Sequence, residues 1–435
     1  MKRPGESGVG VVADDLFRRE GARLVAALAS RLGTHRLQLA EDVVQEALVR
    51  ALQTWPYRGI PENPAAWLTQ AAKNLALDAL RREQTWHRKE ARITTEQESW
   101  LTRDEPAGEH GIVDDTLRML FVCFHPQLSV EAQLALALRT VCGLSPAEIS
   151  AAFFTSEAAI AKRLVRARQL IRDLRLPFSV PDASELPRRL DGVHTALYLL
   201  FNEGYKSSAG DALVRAELCH EAIRLARLLS EHPATRQPSS QALLALMCLT
   251  AARLPARTGA SGEIVLLHAQ DRSRWDTGLI GEGIHALGAA STGEILSPYH
   301  LEAGIAACHC LAADEASTDW TRILALYDHL LLLKPTPVVA MNRCVALAHA
   351  RNPQQALDTL EAIPDRNSLE SQHLYHAIRG RFLTQLHRPA DARTAYQKAV
   401  DLAPSKEERG FLTKLAETPL DLKQSSYGTA SIDEG

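Results

Sequence analysis

Apolar residues recur along most of this chain at the three- and four-residue spacing of amphipathic helices, and breaks in that rhythm divide it into three helical stretches. From about Asp14 to Arg92 the periodic segments are interrupted where two kinds of breaker coincide, at Trp55-Pro56-Tyr57-Arg58-Gly59-Ile60-Pro61 and at Asn63-Pro64. Residues Thr94 to Gly111 are polar, acidic and patternless, which predicts a linker. Periodicity returns from Ile112 to Leu176 and is closed by Pro177-Phe178-Ser179-Val180-Pro181. A succession of amphipathic helices follows to about Thr418, and Gln424 to Gly435 reads as a frayed tail. The pattern predicts an all-α protein.

The third stretch carries an internal repeat. Gly380, Leu383, Ala392, Tyr396, Ala399 and Pro404 fall at the small, large and terminating positions of a tetratricopeptide unit, a helical hairpin of about 34 residues. Tyr327, Leu330 and Pro335 repeat the spacing of Tyr396, Ala399 and Pro404 about two periods upstream, and Ala356 and Leu360 fit a unit between them. From His194 to Ala313 the register is lost. One hairpin cannot bury its own apolar stripe, so the expected architecture is an α-solenoid, whose concave face suits a protein or peptide partner.

The second stretch ends in a helix-turn-helix pattern. Ser145-Pro146-Ala147-Glu148 opens a helix with an N-cap, a proline at its first position and the glutamate of a capping box, and Ile149, Ala152 and Phe153 face inward. After a turn at Phe154-Thr155, Ser156 caps a second helix whose body carries Lys162, Arg163, Arg166, Arg168, Arg172 and Arg175 against only Glu157 and Asp173. Ile160, Leu164, Ala167 and Ile171 form its docking stripe, so the basic face stays open for DNA.

Composition narrows the possible functions. The formal net charge of −3 argues against a uniformly basic nucleic-acid binder, so DNA contact must be local. Lys2 and Arg3 are followed by no apolar core of a signal peptide, and no run of about 18 apolar residues occurs, which predicts a cytoplasmic protein without membrane association. The cysteines, Cys123, Cys142, Cys219, Cys248, Cys308, Cys310 and Cys344, are odd in number and mostly sit on apolar helical faces, as reduced buried thiols do. Cys308-His309-Cys310 has no second ligand pair nearby and reads as helix packing, so no metal is expected. His194, His220 and His300 are isolated on helical stretches, as packed or capping histidines are. With no glycine-rich phosphate loop, nucleophile elbow or paired ligand motif, the sequence predicts no catalytic residues, no cofactor and no enzyme activity.

Two amphipathic helices of the first stretch give the pattern its meaning. Leu39 to Ala47 has a polar, acidic face, and Trp67 to Arg82 ends in paired cations. The first resembles the core-binding helix of region 2 in extracytoplasmic-function (ECF) sigma factors of the sigma-70 family. The second resembles their promoter-melting segment, and Arg163 to Arg168 resembles the end of their region 4. The resemblance implies sigma region 2 over residues 12–92, an acidic linker over 93–111 and region 4 over 112–176. It extends to a subgroup with a tetratricopeptide-like extension, here 182–420, through Leu199-Leu200-Phe201-Asn202-Glu203-Gly204-Tyr205 and Gln270-Asp271-Arg272-Ser273-Arg274-Trp275-Asp276. Asn352-Pro353 stands where that pattern has Gly-Pro, at a turn for which asparagine also tolerates left-handed backbone.

By this resemblance the partners are core RNA polymerase, through the β′ clamp helices and the β flap, and promoter DNA. Asp42, Gln45 and Glu46 would meet the clamp helices. Asn74 and Asp78 would lie at the −10 element, with Arg81, Arg82 and Arg88 on phosphates. Lys162 and Arg166 would enter the major groove of the −35 element, flanked by Arg163 and Arg168 towards phosphate. The repeats would modulate that activity. A helix-turn-helix regulator with a peptide-sensing repeat domain shares the basic helix and the repeats but has no need of the region 2 pattern. A plain repeat scaffold needs neither.

Overall fold

The computed structural model describes residues 20–86, 109–152, 155–182, 184–205, 214–259, 265–364, 367–403 and 406–417, and their regular structure is helical without a strand. The expected all-α class holds. The chain forms two compact units that divide between Glu203 and Gly204.

The N-terminal unit begins with a helix over residues 20–32 and a single 3-10 turn, Thr34–Arg36. Leu37–Arg58 follows and runs through Pro56, one turn past the expected break. Proline in a last turn removes only one backbone hydrogen bond, so the helix stops instead at Gly59, whose φ of 82° favours glycine. Pro64–Trp86 comes next, and Glu109–Cys123 takes in the last three residues of the expected linker. Residues 12–19 and 93–108 lie outside the described residues. Val130–Thr140 is capped by Ser129, whose hydroxyl accepts from the Ala132 amide at 3.3 Å.

The helix Leu186–Tyr205, expected to open the extension, belongs to the N-terminal unit as far as Glu203. Arg189 stacks 5.8 Å over the Phe121 ring and its Nε donates to the Phe124 carbonyl, while Gly192 leaves room for the Phe124 ring. These contacts, after the Pro177–Pro181 stretch, move the boundary to the end of that helix.

In the C-terminal unit each long helix packs against its successor in sequence. Pro238–Ala251 is apolar almost all round and is buried from Ala242 to Ala251 between Ala216–Glu231, Thr277–Ala290 and Pro298–Leu311. The hairpin His373–Gln385 and Pro389–Leu402 buries Leu383, Ala392, Tyr396 and Ala399, and a Cβ at Gly380 would sit 2.8 Å from the Tyr396 ring. Pro404 is outside the described residues. Asn352 is extended, with φ −159°, and its side chain caps Pro353–Glu361 by accepting from the Gln355 amide at 2.8 Å. Its turn therefore uses a side-chain cap and not the left-handed backbone that was expected.

The two signature stretches are spent on the fold. Asp271 and Asp276 cap the turns that follow them, Gln270 bonds the Val265 carbonyl, and Trp275 is buried. Arg272 donates to the His309 and Ala312 carbonyls, closing the end of Pro298–Leu311. Gly204 is the point of closest approach in the other stretch, since a Cβ there would meet the Cys219 amide nitrogen at 2.7 Å.

One buried and one half-buried histidine are expected to make this unit acid-sensitive. His309 stacks edge-on to Trp320, and His349 lies face to face with Trp320 at 3.9 Å and meets Arg381 Nη2 through Nε2 at 3.1 Å. Burial, then the cations around them, hold both imidazoles down at about 3. Between about 6.5 and 3 the unfolded chain takes up protons that the folded unit refuses, so stability falls as pH falls through that window. Each histidine is expected to cost about 2 kcal/mol at pH 5 relative to pH 7.5. Urea titration over that range measures it, and His349→Gln should remove about one proton's share of the slope.

Candidate nucleic-acid interface

The helix-turn-helix is built by its caps. The Ser145 amide donates to Glu148 Oε2 at 2.6 Å and the Glu148 amide to Ser145 Oγ at 3.2 Å, both halves of a capping box, and Pro146–Ala152 follows. The second helix, Glu157–Leu174, opens on Ser156, whose hydroxyl accepts from the Ala159 amide at 3.2 Å. Ile149, Ile160, Leu164, Ala167 and Ile171 are buried. Phe153 and Phe154 lie outside the described residues.

Burial of that stripe turns Ala158, Ala161, Lys162, Val165, Arg166 and Gln169 outward. Lys162 and Arg166 stand one turn apart on this exposed face, as expected. Arg163 is half-buried at its flank. The Glu131 carboxyl, held below its ordinary value first by its own backbone amide and the Ser129 hydroxyl, also feels the Arg163 charge.

Arg168 turns the other way. Its Nε lies 2.7 Å from Glu41 Oε2, with the two side chains 14% and 10% exposed, an ion pair by distance without hydrogen-bond alignment. Thr140 Oγ1 donates to the other oxygen of the same carboxylate at 3.0 Å. The expected phosphate contact of Arg168 is therefore corrected to an interior one. Four residues after Leu164 and three before Ile171, it sits on the edge of the docking stripe, and its stem follows that stripe inward. The seam continues where Asp115 accepts from Ser30, Arg31 and Arg118 at 3.0–3.1 Å and where Thr34 Oγ1 donates to the Leu176 carbonyl at 2.5 Å.

On Pro64–Trp86, Asn74, Asp78, Arg81 and Arg82 are all exposed and share one face, opposite buried Leu68, Ala72, Leu75, Ala76 and Leu80. Gln70, one turn earlier on that face, donates to Asn74 Oδ1 at 3.1 Å. Sequence reading missed Gln70, although its four-residue spacing from Asn74 placed it there. Trp67 meets Trp55 edge to face at 5.6 Å and fixes the start of the helix against Leu37–Arg58. Arg88 lies outside the described residues.

Asp42, Gln45 and Glu46 are exposed on Leu37–Arg58, above buried Ala40, Val43, Val44 and Ala47. Asp42 accepts from Gln38 Nε2 at 2.8 Å, and Glu46 pairs with Arg50 at 3.1 Å across open solvent. Val49 and Leu52, 45% and 55% exposed, carry the same face onward as apolar ground that the sequence reading passed over.

Two histidines that stand isolated in the sequence belong to the fold. His300 forms a capping box with Ser297, and burial holds the His194 imidazole down at about 4. Among the described residues no three His, Cys, Asp or Glu gather as metal ligands, and no helix is long and apolar enough to cross a membrane.

Comparison with known proteins places these faces in a family. Residues 17–86 match Sigma-70 region 2, the segment that carries both the Asp42 and the Asn74 faces. Over 174 residues the chain is 30% identical to "ECF RNA polymerase sigma factor SigG" of Mycobacterium tuberculosis, covering 35% of this chain and 47% of that protein. The chain belongs to the ECF-like sigma-70 family. It spans about half the length of that sigma factor. A second relative of this ECF-like chain reaches much further along it: "Uncharacterized protein R00370" of Rhizobium meliloti (strain 1021) is 41% identical over 385 residues, 86% of this chain and 89% of the relative. Residues 189–291 match a family of unknown function, DUF6596, which takes in the Gln270–Asp276 stretch. No solved structure matches.

Proposed function

We propose that this protein is a sigma factor that binds core RNA polymerase and directs promoter-specific initiation, and that its helical extension modulates that activity. The observation that carries the reading is that a sigma region 2, with Asn74, Asp78, Arg81 and Arg82 on one exposed face, shares a compact unit with a helix-turn-helix whose outward face bears Lys162 and Arg166. In this reading the Asp42 face meets the β′ clamp helices, the Asn74 face holds the −10 element, and the recognition helix enters the −35 major groove while region 4 docks at the β flap. The protein directs an enzyme and catalyses nothing itself. Tetratricopeptide-like stacking of the later hairpins, supported by the Gly380–Tyr396 approach, gives the extension a surface for a protein or peptide.

Transcription by purified core polymerase, with the full-length chain and a library of randomised promoters, tests this. Specific start sites that depend on the added protein are expected. DNA binding without such transcripts would assign the chain to the helix-turn-helix regulators, and no DNA binding would leave a scaffold. Arg166→Ala is expected to lose about 1–3 kcal/mol of discrimination at one −35 base pair, because an outward arginine bonds guanine bidentately. Arg163→Ala should instead weaken binding evenly and flatten the salt slope by about one unit. Equal, sequence-independent losses from both would overturn the assignment of faces.

A further inference from the structure

Val165 is 64% exposed in the middle of the recognition helix. It lies three residues after Lys162 and next to Arg166, on the face opposite the buried stripe. Neither packing nor propensity explains a valine there. Its side chain leaves the core, and a β-branched residue is a poorer helix former than the alanines and arginines around it. The preceding outward positions on this face, Ala158 and Ala161, carry no side chain beyond Cβ. They leave the first half of the helix slim enough to sink into a groove, which a short side chain such as valine requires in order to touch its floor. Lys162 and Arg166 supply the charge that would draw duplex DNA onto this face. Gln169, the next outward polar residue, is already engaged, donating to Asp173 at 2.7 Å and accepting from Arg172 at 3.3 Å.

We propose that Val165 reads the 5-methyl group of a thymine in the major groove, beside the base pair read by Arg166. Of the four bases only thymine offers an apolar group there, so an exposed aliphatic side chain between two cations selects it by burying that methyl. The inference rests on the reading of Glu157–Leu174 as the −35 recognition helix. Because Val165 and Arg166 are neighbours on one helix, the thymine should lie within about two base pairs of the pair whose discrimination Arg166→Ala relaxes.

The probe is deoxyuridine, which keeps the pairing and shape of thymidine and lacks only the methyl. With full-length protein and core polymerase, a −35 sequence is first recovered from the randomised library, and each thymine in it is then replaced in turn by deoxyuridine. One replacement is expected to weaken binding about fourfold, the share of one buried methyl group. Val165→Ala should bind that deoxyuridine site and the thymidine site equally, while Val165→Ile keeps the preference. If a site is recovered but no thymine shows a Val165-dependent methyl effect, this proposal is overturned and the sigma-factor reading stands. If no −35 preference is recovered at all, that underlying reading fails and the proposal falls with it.

Discussion

Replacing Arg168 by alanine is expected to destabilise the N-terminal unit by about 3–5 kcal/mol, because it leaves Glu41 charged and nearly buried with no cation beside it. Thr140 would still donate to that carboxylate, but one neutral hydroxyl cannot replace a guanidinium 2.7 Å away. The loss should appear as a shift of the N-terminal unit's transition in urea unfolding of the full-length chain. Glu41→Gln in the same molecule should recover at least half of it, since glutamine keeps an acceptor for Thr140 and removes the stranded charge. A phosphate-contacting Arg168 would behave oppositely, with stability unchanged and DNA affinity reduced. Unaltered unfolding of Arg168→Ala would return the residue to the DNA face.

Charge reversal at both Asp42 and Glu46, by Asp42→Lys with Glu46→Lys, is expected to abolish co-purification with core polymerase. Like charges forced together at an interface cost several kcal/mol, so affinity should fall by about a hundredfold or more. The fold should tolerate the change. Both side chains are exposed, the pair that Glu46 makes with Arg50 is about half open to solvent, and such pairs contribute roughly 0–1 kcal/mol. Melting of the double variant is therefore expected to stay within about 1 kcal/mol of the parent. Undiminished polymerase binding by the folded variant would remove this face from the proposed contact.

How much of this was legible in the sequence depended on how local each signal was. The caps Ser145, Glu148 and Ser156 act over three residues, and the stripe Ile160, Leu164, Ala167, Ile171 follows one helical period, so both were readable directly. The outward face of Lys162 followed from the same periodicity, whereas Asn74 and Asp78 were placed by the resemblance alone. Arg168 was misread because its partner, Glu41, lies in another module. Local cation density said DNA, while its place beside Leu164 favoured the interior. The boundary at Glu203 was missed for a related reason. The prolines from 177 to 181 mark a real break in helix, but the contacts of Arg189 with Phe121 and Phe124 carry the next helix back onto the first unit. Arg272 stood in the sequence only as part of a stretch resembling a subgroup's signature, and the tertiary structure shows it closing a helix end.

The Glu41–Arg168 pair also bears on module exchange. Its two halves belong to different segments, Glu41 to Sigma-70 region 2 and Arg168 to the second helix of the helix-turn-helix. A chimera that took its helix-turn-helix from a relative with an uncharged residue at the position of Arg168 would strand Glu41, and the graft would register as a folding defect before any question of promoter choice arose. Within a lineage the same constraint makes single changes at either position costly and paired changes tolerable. The two sites should therefore be inherited together, and a working graft that lacks the arginine has to carry a compensating residue at position 41.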